Sequence, residues 1–138
     1  MELGISDDGQ GRGVSCFDFD RDGDLDIFVA NNSQSPSFFV NVSAANQGNH
    51  LSVRLRGKSP NTQGVGARIT VNVLGITQLR ELRVGSNFAS QDPAEAYFGV
   101  GTATVIDVLR IAWPDGQISK LLNVPNNQDL VITHPQLP

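Results

Sequence analysis

The sequence predicts an all-β fold, an antiparallel β-sandwich preceded by an N-terminal β-hairpin. Short runs rich in Val, Ile, Leu and Phe are separated by Gly, Asn and Pro, which is the pattern of short strands joined by turns. Several runs alternate apolar and polar residues, so each strand turns one face toward a core. No run has a convincing helical spacing, and none approaches the roughly 18 to 20 apolar residues that cross a bilayer.

The N-terminal hairpin is predicted from GVSCF and IFVAN, the two runs on either side of an aspartate-rich segment. Cys16 is the only cysteine of the chain, which excludes an internal disulfide and a cysteine-rich zinc site. We expect it to be a buried, inert thiol within the first strand. The histidines, His50 and His134, are far apart in the sequence, which argues against a histidine-based metal or catalytic cluster.

The next strands are predicted from alternation in LSVRLRG (51–57) and ARITVNV (67–73). Ser52 and the arginines of the first run belong to its polar face. A turn at Leu74-Gly75-Ile76 leads into TQLRELRV, whose apolar residues slip out of phase, as a β-bulge would cause. The residues expected on the apolar faces of the first two runs are Leu51, Val53, Leu55, Ile69, Val71 and Val73. The out-of-phase residues of the third run are Leu79, Leu82 and Val84.

A second hairpin is predicted in VIDVLRIAWPDGQISKLL, because Pro114-Asp115-Gly116 is a turn sequence. Leu109, Ile111 and Trp113 share one face, and Trp113 is expected to anchor the core. DLVITH supplies the last strand. A polar stretch without periodicity, NVSAANQGN (41–49), marks a boundary, so we expect two domains, residues 1–43 and residues 44–138.

All of the net charge of −4 lies in one nine-residue segment, DFDRDGDLD (18–26). This segment holds five aspartates and Arg21, whereas the nine other acidic and nine other basic residues cancel. With a sequence pI of about 4.9, the chain lacks the basic face that a phosphate backbone requires, so nucleic acid is not an expected partner.

The spacing of the carboxylates in this segment predicts a calcium loop. Calcium takes six to eight oxygen ligands, and a tight loop offers them from alternate residues when a glycine permits the bend. Gly23 stands at the position of that bend. The predicted ligands are Asp18, Asp20, Asp22, the backbone carbonyl of Asp24, and Asp26.

The loop differs from an EF-hand, because Val29 stands where the bidentate glutamate belongs and a β-type run follows Asp26. A calcium loop on a β-hairpin is therefore the better description. A solvated acidic turn is the alternative, and magnesium is less favoured because it keeps its waters. We expect an affinity in the extracellular range, about 10⁻⁴ to 10⁻³ M or somewhat tighter.

Two family resemblances cover nearly the whole chain. The segment GRGVSCFDFDRDGDLDIFVANN resembles the calcium-loop repeat of FG-GAP/VCBS proteins, which forms the blades of integrin-like β-propellers. The rest of the chain, from GNHLSVRLRG through IAWPDGQISKLLNVPNNQDL, resembles the ASPIC/UnbV domain. This domain follows such repeats in secreted proteins such as the cartilage acidic protein. The signatures Phe98-Gly99-Val100-Gly101 and Trp113-Pro114-Asp115-Gly116 stand in the family order. The resemblance implies a partial propeller blade carrying the calcium loop, followed by a β-sandwich.

The resemblance and the residues together predict a non-catalytic, calcium-binding adhesion or interaction module of an extracellular or cell-envelope protein. The expected partner is a protein or glycan at the cell surface or matrix, without membrane insertion. A single blade has unpaired edges, so the chain is expected to belong to a larger repeat protein, to pack on its own sandwich, or to pair with a second copy.

A carbohydrate-binding accessory domain is the alternative function, and its candidate ligand-binding residues are Phe88, Tyr97 and Trp113. An enzyme is not expected. The chain has no G-x-S-x-G elbow, and neither histidine lies in a recognisable catalytic block. The arginines of the predicted strands, at positions 54, 56, 68, 80 and 83, are expected to form a solvated sheet surface. A site for sulfated or acidic glycans is the alternative there.

Overall fold

A computed structural model describes residues 4–42, 48–85 and 87–137, and all regular structure within those ranges is β-strand. No helix in the described ranges is long and apolar enough to span a membrane. The strands are β1 (Gly11–Phe17), β2 (Asp26–Asn31), β3 (Ser37–Phe39), β4 (Asn49–Arg56), β5 (Arg68–Val73), β6 (Ile76–Glu81), β7 (Glu95–Gly101), β8 (Val105–Ala112), β9 (Ile118–Pro125) and β10 (Gln128–Thr133). The predicted all-β class is confirmed.

The chain forms two compact units. The first comprises Met1–Gln47 together with Val84–Pro93, and the second comprises Gly48–Arg83 together with Ala94–Pro138. The first unit contains one antiparallel sheet in the order β1-β2-β3. The chain therefore leaves the second unit after β6, contributes a segment to the first, and returns at β7.

The second unit is a β-sandwich, as the sequence predicts. One sheet has the order β10-β4-β7 and the other has the order β6-β5-β8-β9. Both sheets contribute to one apolar core. Strand β10 pairs with β4 in parallel, which the hairpin pattern of the sequence did not indicate. The reason is that β9 and β10, although consecutive, lie in different sheets, so no hairpin fixes their directions.

Alternation predicted the buried face of the central strands correctly. The confirmed core residues are Leu51, Val53, Leu55, Ile69, Val71, Val73, Leu109, Ile111 and Trp113. Ser52 was expected on a polar, open face but is fully buried. Its hydroxyl group donates a hydrogen bond to the carboxylate of Glu95 on the neighbouring strand β7, which satisfies a polar group that would otherwise be costly to bury.

The β-bulge predicted around Arg80 and Glu81 does not interrupt β6. Strand β6 pairs with β5 in regular register from Arg68↔Glu81 to Val73↔Ile76 and ends at Glu81. Leu82 stays bonded to the segment before β5: its N–H donates to the carbonyl oxygen of Ala67 at 3.0 Å, and its carbonyl oxygen accepts the N–H of Gly66 at 2.7 Å. Two residues thus oppose one, as in a β-bulge, and the extra residue is on the other side of the pair. Leu82 is buried, whereas Leu79 and Val84 are exposed.

Both predicted turns are present. Leu74 and Gly75 have φ angles of 50° and 77°, the double positive φ of a primed two-residue turn that suits the twist of a hairpin. In the second hairpin Gly116 has a φ of 87°, and its N–H donates to the carbonyl oxygen of Trp113, 3.0 Å away. Cys16 lies in β1 as predicted, but it is exposed and not buried, because it shares a strand face with Val14, which is also exposed.

Alanine substitution of a buried phenylalanine should lower the free energy of unfolding far more than alanine substitution of an exposed one. Phe98→Ala removes a fully buried ring and should lower the free energy of unfolding by about 3 to 5 kcal/mol. Phe88→Ala removes a ring that is 86% exposed and should change it by less than about 0.5 kcal/mol. Because Phe98 and Phe88 belong to different units, differential scanning calorimetry, which registers the unfolding of both units, is the measurement. Equal losses in the two variants would contradict the assignment of the core.

Candidate metal centre

The aspartate loop joins the edge strand β1 to the central strand β2 of the first unit. Strand β1 ends at Phe17 and β2 begins at Asp26, and these two residues face each other as the last pair of the ladder. Within the loop Gly23 has a φ of 97° and Arg21 a φ of 62°. The glycine predicted to allow the bend thus has the left-handed conformation that other residues adopt less readily.

The loop brings three of the predicted ligands together. One carboxylate oxygen from each of Asp18, Asp20 and Asp22 lies within 4.8 Å of the other two. Backbone N–H groups of the loop orient these carboxylates: Gly23 donates to Asp18 Oδ2 at 3.0 Å, and Asp22 donates to Asp18 Oδ1 at 3.2 Å. A carboxylate has about four lone-pair positions, so these bonds leave acceptor capacity for a cation.

Asp26 has a different environment from the other loop aspartates. Its side chain is buried, with 2% exposed. Oδ2 accepts a hydrogen bond from the N–H of Phe19 at 2.8 Å, and Oδ1 accepts one from the N–H of Asn41, also at 2.8 Å. The carboxylate therefore fastens the start of the loop to the segment that follows β3. Asp24 is half-buried, and its N–H donates to Asp22 Oδ1 at 2.9 Å.

Negative charge accumulates in this loop. The pKa of Asp20 is raised above its ordinary value, first by loss of hydration and then by the negative charges of Asp22, Asp26 and Asp18, against a lowering hydrogen bond from the N–H of Asp22. Arg21, the loop's own cation, forms no salt bridge within the described part of the chain. The cluster is thus short of positive charge, and its donors are the hard oxygens that calcium and magnesium prefer.

Four phenylalanines form a cluster beside the loop that sequence reasoning missed. The ring centroids of Phe19 and Phe38 are 5.0 Å apart, and those of Phe17 and Phe38 are 6.3 Å apart. Phe28 joins the cluster at 6.4 Å from Phe38. Phe19 remains 62% exposed. The sequence places Phe17 and Phe28 on the two strands of the predicted hairpin. The register of the pairing, once known, puts both rings on the same face of the sheet.

The three predicted ligand-binding aromatics have different environments. Phe88 belongs to the first unit, where it lines an open cleft of about 370 Å³ with Arg12, Val14 and Val29. Tyr97 is half-buried on β7. Trp113 is 4% exposed, and its indole N–H donates to the hydroxyl oxygen of Ser119 at 2.9 Å, as a core anchor would. Only Phe88 presents most of its ring to solvent.

A histidine and an aspartate meet in the second unit, although the sequence separates them by 19 positions. His134 is buried, and its Nε2 lies 3.0 Å from Asp115 Oδ2. The Nδ1 atom accepts the N–H of Gln136 at 3.2 Å, so the neutral ring carries its proton on Nε2 and donates it to Asp115. The pair ties the turn between β8 and β9 to the residues after β10, beside an open cleft of about 350 Å³.

The predicted arginine surface is largely paired. Glu81 Oε2 lies 3.1 Å from Arg68 Nε, and Glu81 Oε1 lies 3.4 Å from Arg83 Nε. Arg54 lies 3.6 Å from Glu95, and the guanidinium of Arg80 lies 5.3 Å from the ring centroid of Phe98. A hydrogen bond from Arg68 and the charges of Arg83 and Arg68 hold the pKa of Glu81 below its ordinary value.

Comparison with known proteins gives one family match. A family model described as ASPIC and UnbV matches residues 57–137, which is 81 of the 138 residues. The match includes both hairpins of the second unit but does not extend to the aspartate loop. No curated protein matches the chain.

Asp26→Ala should destabilise the first unit even without a cation. The substitution leaves two backbone N–H groups without their charged acceptor, so we expect a loss of about 2 to 4 kcal/mol. Asp24→Ala is the matched control: its carboxylate is half-buried, and its loss should change stability by less than about 0.5 kcal/mol. Differential scanning calorimetry in excess chelator measures both variants. A control as unstable as Asp26→Ala would show that Asp26 has no special anchoring role.

The pH response of Glu81 should depend on Arg68. The pKa of this carboxyl is lowered from its ordinary value of 4.5, so its contribution to stability is present above that value and is lost as the pH falls through the lower folded-state pKa. Arg68→Ala should raise the pKa of Glu81 toward the ordinary value, as NMR titration of its side-chain carboxyl carbon would measure. Arg110→Ala is the control, since Arg110 forms no salt bridge within the described part of the chain, and it should leave the pKa of Glu81 unchanged. An unmoved pKa in Arg68→Ala would contradict the assigned cause.

Proposed function

The chain belongs to the ASPIC and UnbV family, and we propose that it is a non-catalytic, calcium-binding adhesion or interaction module of an extracellular protein. The single observation that carries the calcium part is the convergence of Asp18, Asp20 and Asp22 within 4.8 Å. Three carboxylates this close repel one another, because each close pair costs about 1 kcal/mol even in a water-like dielectric. A divalent cation would convert that repulsion into attraction.

The donor set favours calcium over other metals. The converging groups are all oxygens, which excludes a soft-metal preference, and they lie on a short loop with a glycine bend. Asp18, Asp20 and Asp22 would hold the ion through their side chains, and Asp24 would add its backbone carbonyl. Asp26, whose two oxygens accept backbone N–H groups, would orient the loop and complete its charge. Magnesium fits less well, because it keeps most of its waters.

A bound cation would act mainly by fixing the conformation of the loop. The loop links β1 to β2, and neutralising its charge would hold the hairpin and the exposed Phe19 beside it in one arrangement. A rigid surface loses less conformational entropy on binding a partner. The proposed partner is therefore a protein or glycan at the cell surface or in the matrix, where calcium concentrations suit an affinity of about 10⁻⁴ to 10⁻³ M. Nucleic acid is not proposed, since the excess charge is negative.

Carbohydrate binding is the second candidate, and the exposure of Phe88 favours it. This ring is 86% exposed at the rim of the cleft that contains Arg12, so it offers a stacking face beside a cation. Isothermal titration with soluble polysaccharides, neutral and sulfated, would detect such binding, and Phe88→Ala should abolish it. Catalysis is not proposed: esterase, protease and glycosidase substrates should show no turnover.

Calcium should raise the melting temperature of the full chain, and a chelator should reverse the effect. At a free calcium concentration one hundred times the dissociation constant, the expected gain is about 2.7 kcal/mol. Asp22→Ala should remove the response, because it removes one of the three converging carboxylates. Asp8→Ala is the control, since Asp8 is an exposed carboxylate of the same unit. Calorimetry suits the measurement because it registers the unfolding of the first unit, whereas fluorescence of Trp113 reports on the second unit, in which Trp113 lies. A midpoint that calcium does not move would remove the proposed metal site.

A further inference from the structure

Strand β1 is the edge of the first unit's sheet, so half of its backbone polar groups have no strand beside them. An uncovered edge of this kind is a template for unwanted strand pairing, and proteins usually cover or interrupt it. The exposed side of β1 carries the N–H and carbonyl of Val14 and the N–H of Cys16, and each of them has a partner outside the sheet.

Those partners come from residues 87–92, here called the edge clasp. The Ser90 hydroxyl accepts the N–H of Val14 at 3.0 Å and donates to the carbonyl oxygen of Val14 at 2.6 Å. Asn87 Nδ2 donates to the same carbonyl oxygen at 2.8 Å, and Asp92 Oδ1 accepts the N–H of Cys16 at 2.9 Å. Side chains thus take the place of a neighbouring strand's backbone.

The edge clasp is distant in sequence from the strand that it covers. Its hydrogen-bonding residues lie 73 to 76 positions after their partners, within the segment that matches the family. The first unit therefore depends on residues that the chain contributes from between β6 and β7. All of these hydrogen bonds lie within the first unit.

Polar contacts hold the clasp, and little apolar burial supports them. Phe88 is 86% exposed and Val84, just before the clasp, is 51% exposed. A segment with few buried apolar contacts has a low free energy of local opening. Gly13 sets the closeness of approach: a Cβ atom there would lie 3.0 Å from Ser90 Cβ and 3.3 Å from the carbonyl oxygen of Ala89.

We propose that residues 87–92 are a removable clasp that closes the edge of β1 through side-chain hydrogen bonds and opens locally, without unfolding of the second unit's core. When closed, it occupies the polar groups of Val14 and Cys16 and blocks strand addition at that edge. Its opening frees the same groups while the β1–β2 ladder persists.

Two neighbouring glycines of β1 provide a matched test. Gly13→Ala pushes a methyl group against the clasp, whereas a Cβ at Gly11 would meet nothing closer than Val29 Cγ1 at 3.5 Å, which is ordinary contact. Neither residue has a positive φ, so alanine is compatible with both backbones. Ser90→Ala is the second variant, because it removes the hydroxyl that binds both polar groups of Val14.

Hydrogen exchange of the full-length chain, followed by NMR, measures the opening. In the wild type the amides of Val14 and Cys16 should be protected. Gly13→Ala should speed their exchange about five- to a hundredfold, as overpacking does, and Gly11→Ala should not. Ser90→Ala should speed the exchange of Val14 about three- to tenfold, the effect of one lost hydrogen bond. The amides of Leu51 and Val53 in β4 should not change in any variant.

Three results would overturn the proposal. Val14 and Cys16 amides that exchange as fast as unprotected ones in the wild type would show that the clasp does not close. Equal effects of Gly13→Ala and Gly11→Ala would show that the close contact between residue 13 and the edge clasp does not control its opening. Acceleration in β4 alongside β1 would show global unfolding in place of local opening. If Gly13→Ala does not fold, the comparison of Val14 exchange between Ser90→Ala and the wild type decides.

Discussion

The buried carboxylate of Asp26 is the constraint on which the hairpin loop depends. A charge with 2% exposure is tolerated only when donors surround it, and Asp26 has the N–H of Phe19 on one oxygen and that of Asn41 on the other. One side chain therefore fixes both the start of the loop and the segment after β3. In the same loop, one carboxylate oxygen from each of Asp18, Asp20 and Asp22 lies within 4.8 Å of the other two.

This arrangement divides the loop aspartates by task. Asp26 faces inward and acts on the backbone, while Asp18, Asp20 and Asp22 face one another with capacity for a cation. The same alternating sequence produces both environments, because Asp26 is the buried first residue of β2 whereas Asp18, Asp20 and Asp22 lie in the loop before it. Phe19 and Leu25, which lie between the carboxylates, remain exposed, so the proposed cation site and an apolar surface occupy the same few residues.

The second unit has a simpler physical basis. Its two sheets bury one continuous set of aliphatic and aromatic side chains, among them Phe98, Leu51 and Ile69. Burial of this kind is the dominant favourable term in folding, and the few polar groups inside are satisfied, as Ser52 is by Glu95. The His134–Asp115 hydrogen bond adds a directional tie at one end, between the turn after β8 and the residues that follow β10.

The sequence by itself determined the all-β class, the inward faces of β4, β5 and β8, both glycine turns and the aspartate loop, because periodicity and turn chemistry are local. Only the tertiary structure decided which strands are neighbours. The parallel pairing of β10 with β4, the exposure of Cys16 on an edge, and the burial of Ser52 depend on sheet order, which no local pattern encodes. The bonds from Ser90 and Asp92 to β1 join residues 76 positions apart, and serines and aspartates in a loop carry no mark of such a partner. Even the distinction between Asp26 and its neighbours required the fold, since residue type alone does not show which carboxylate is buried beside two backbone N–H groups.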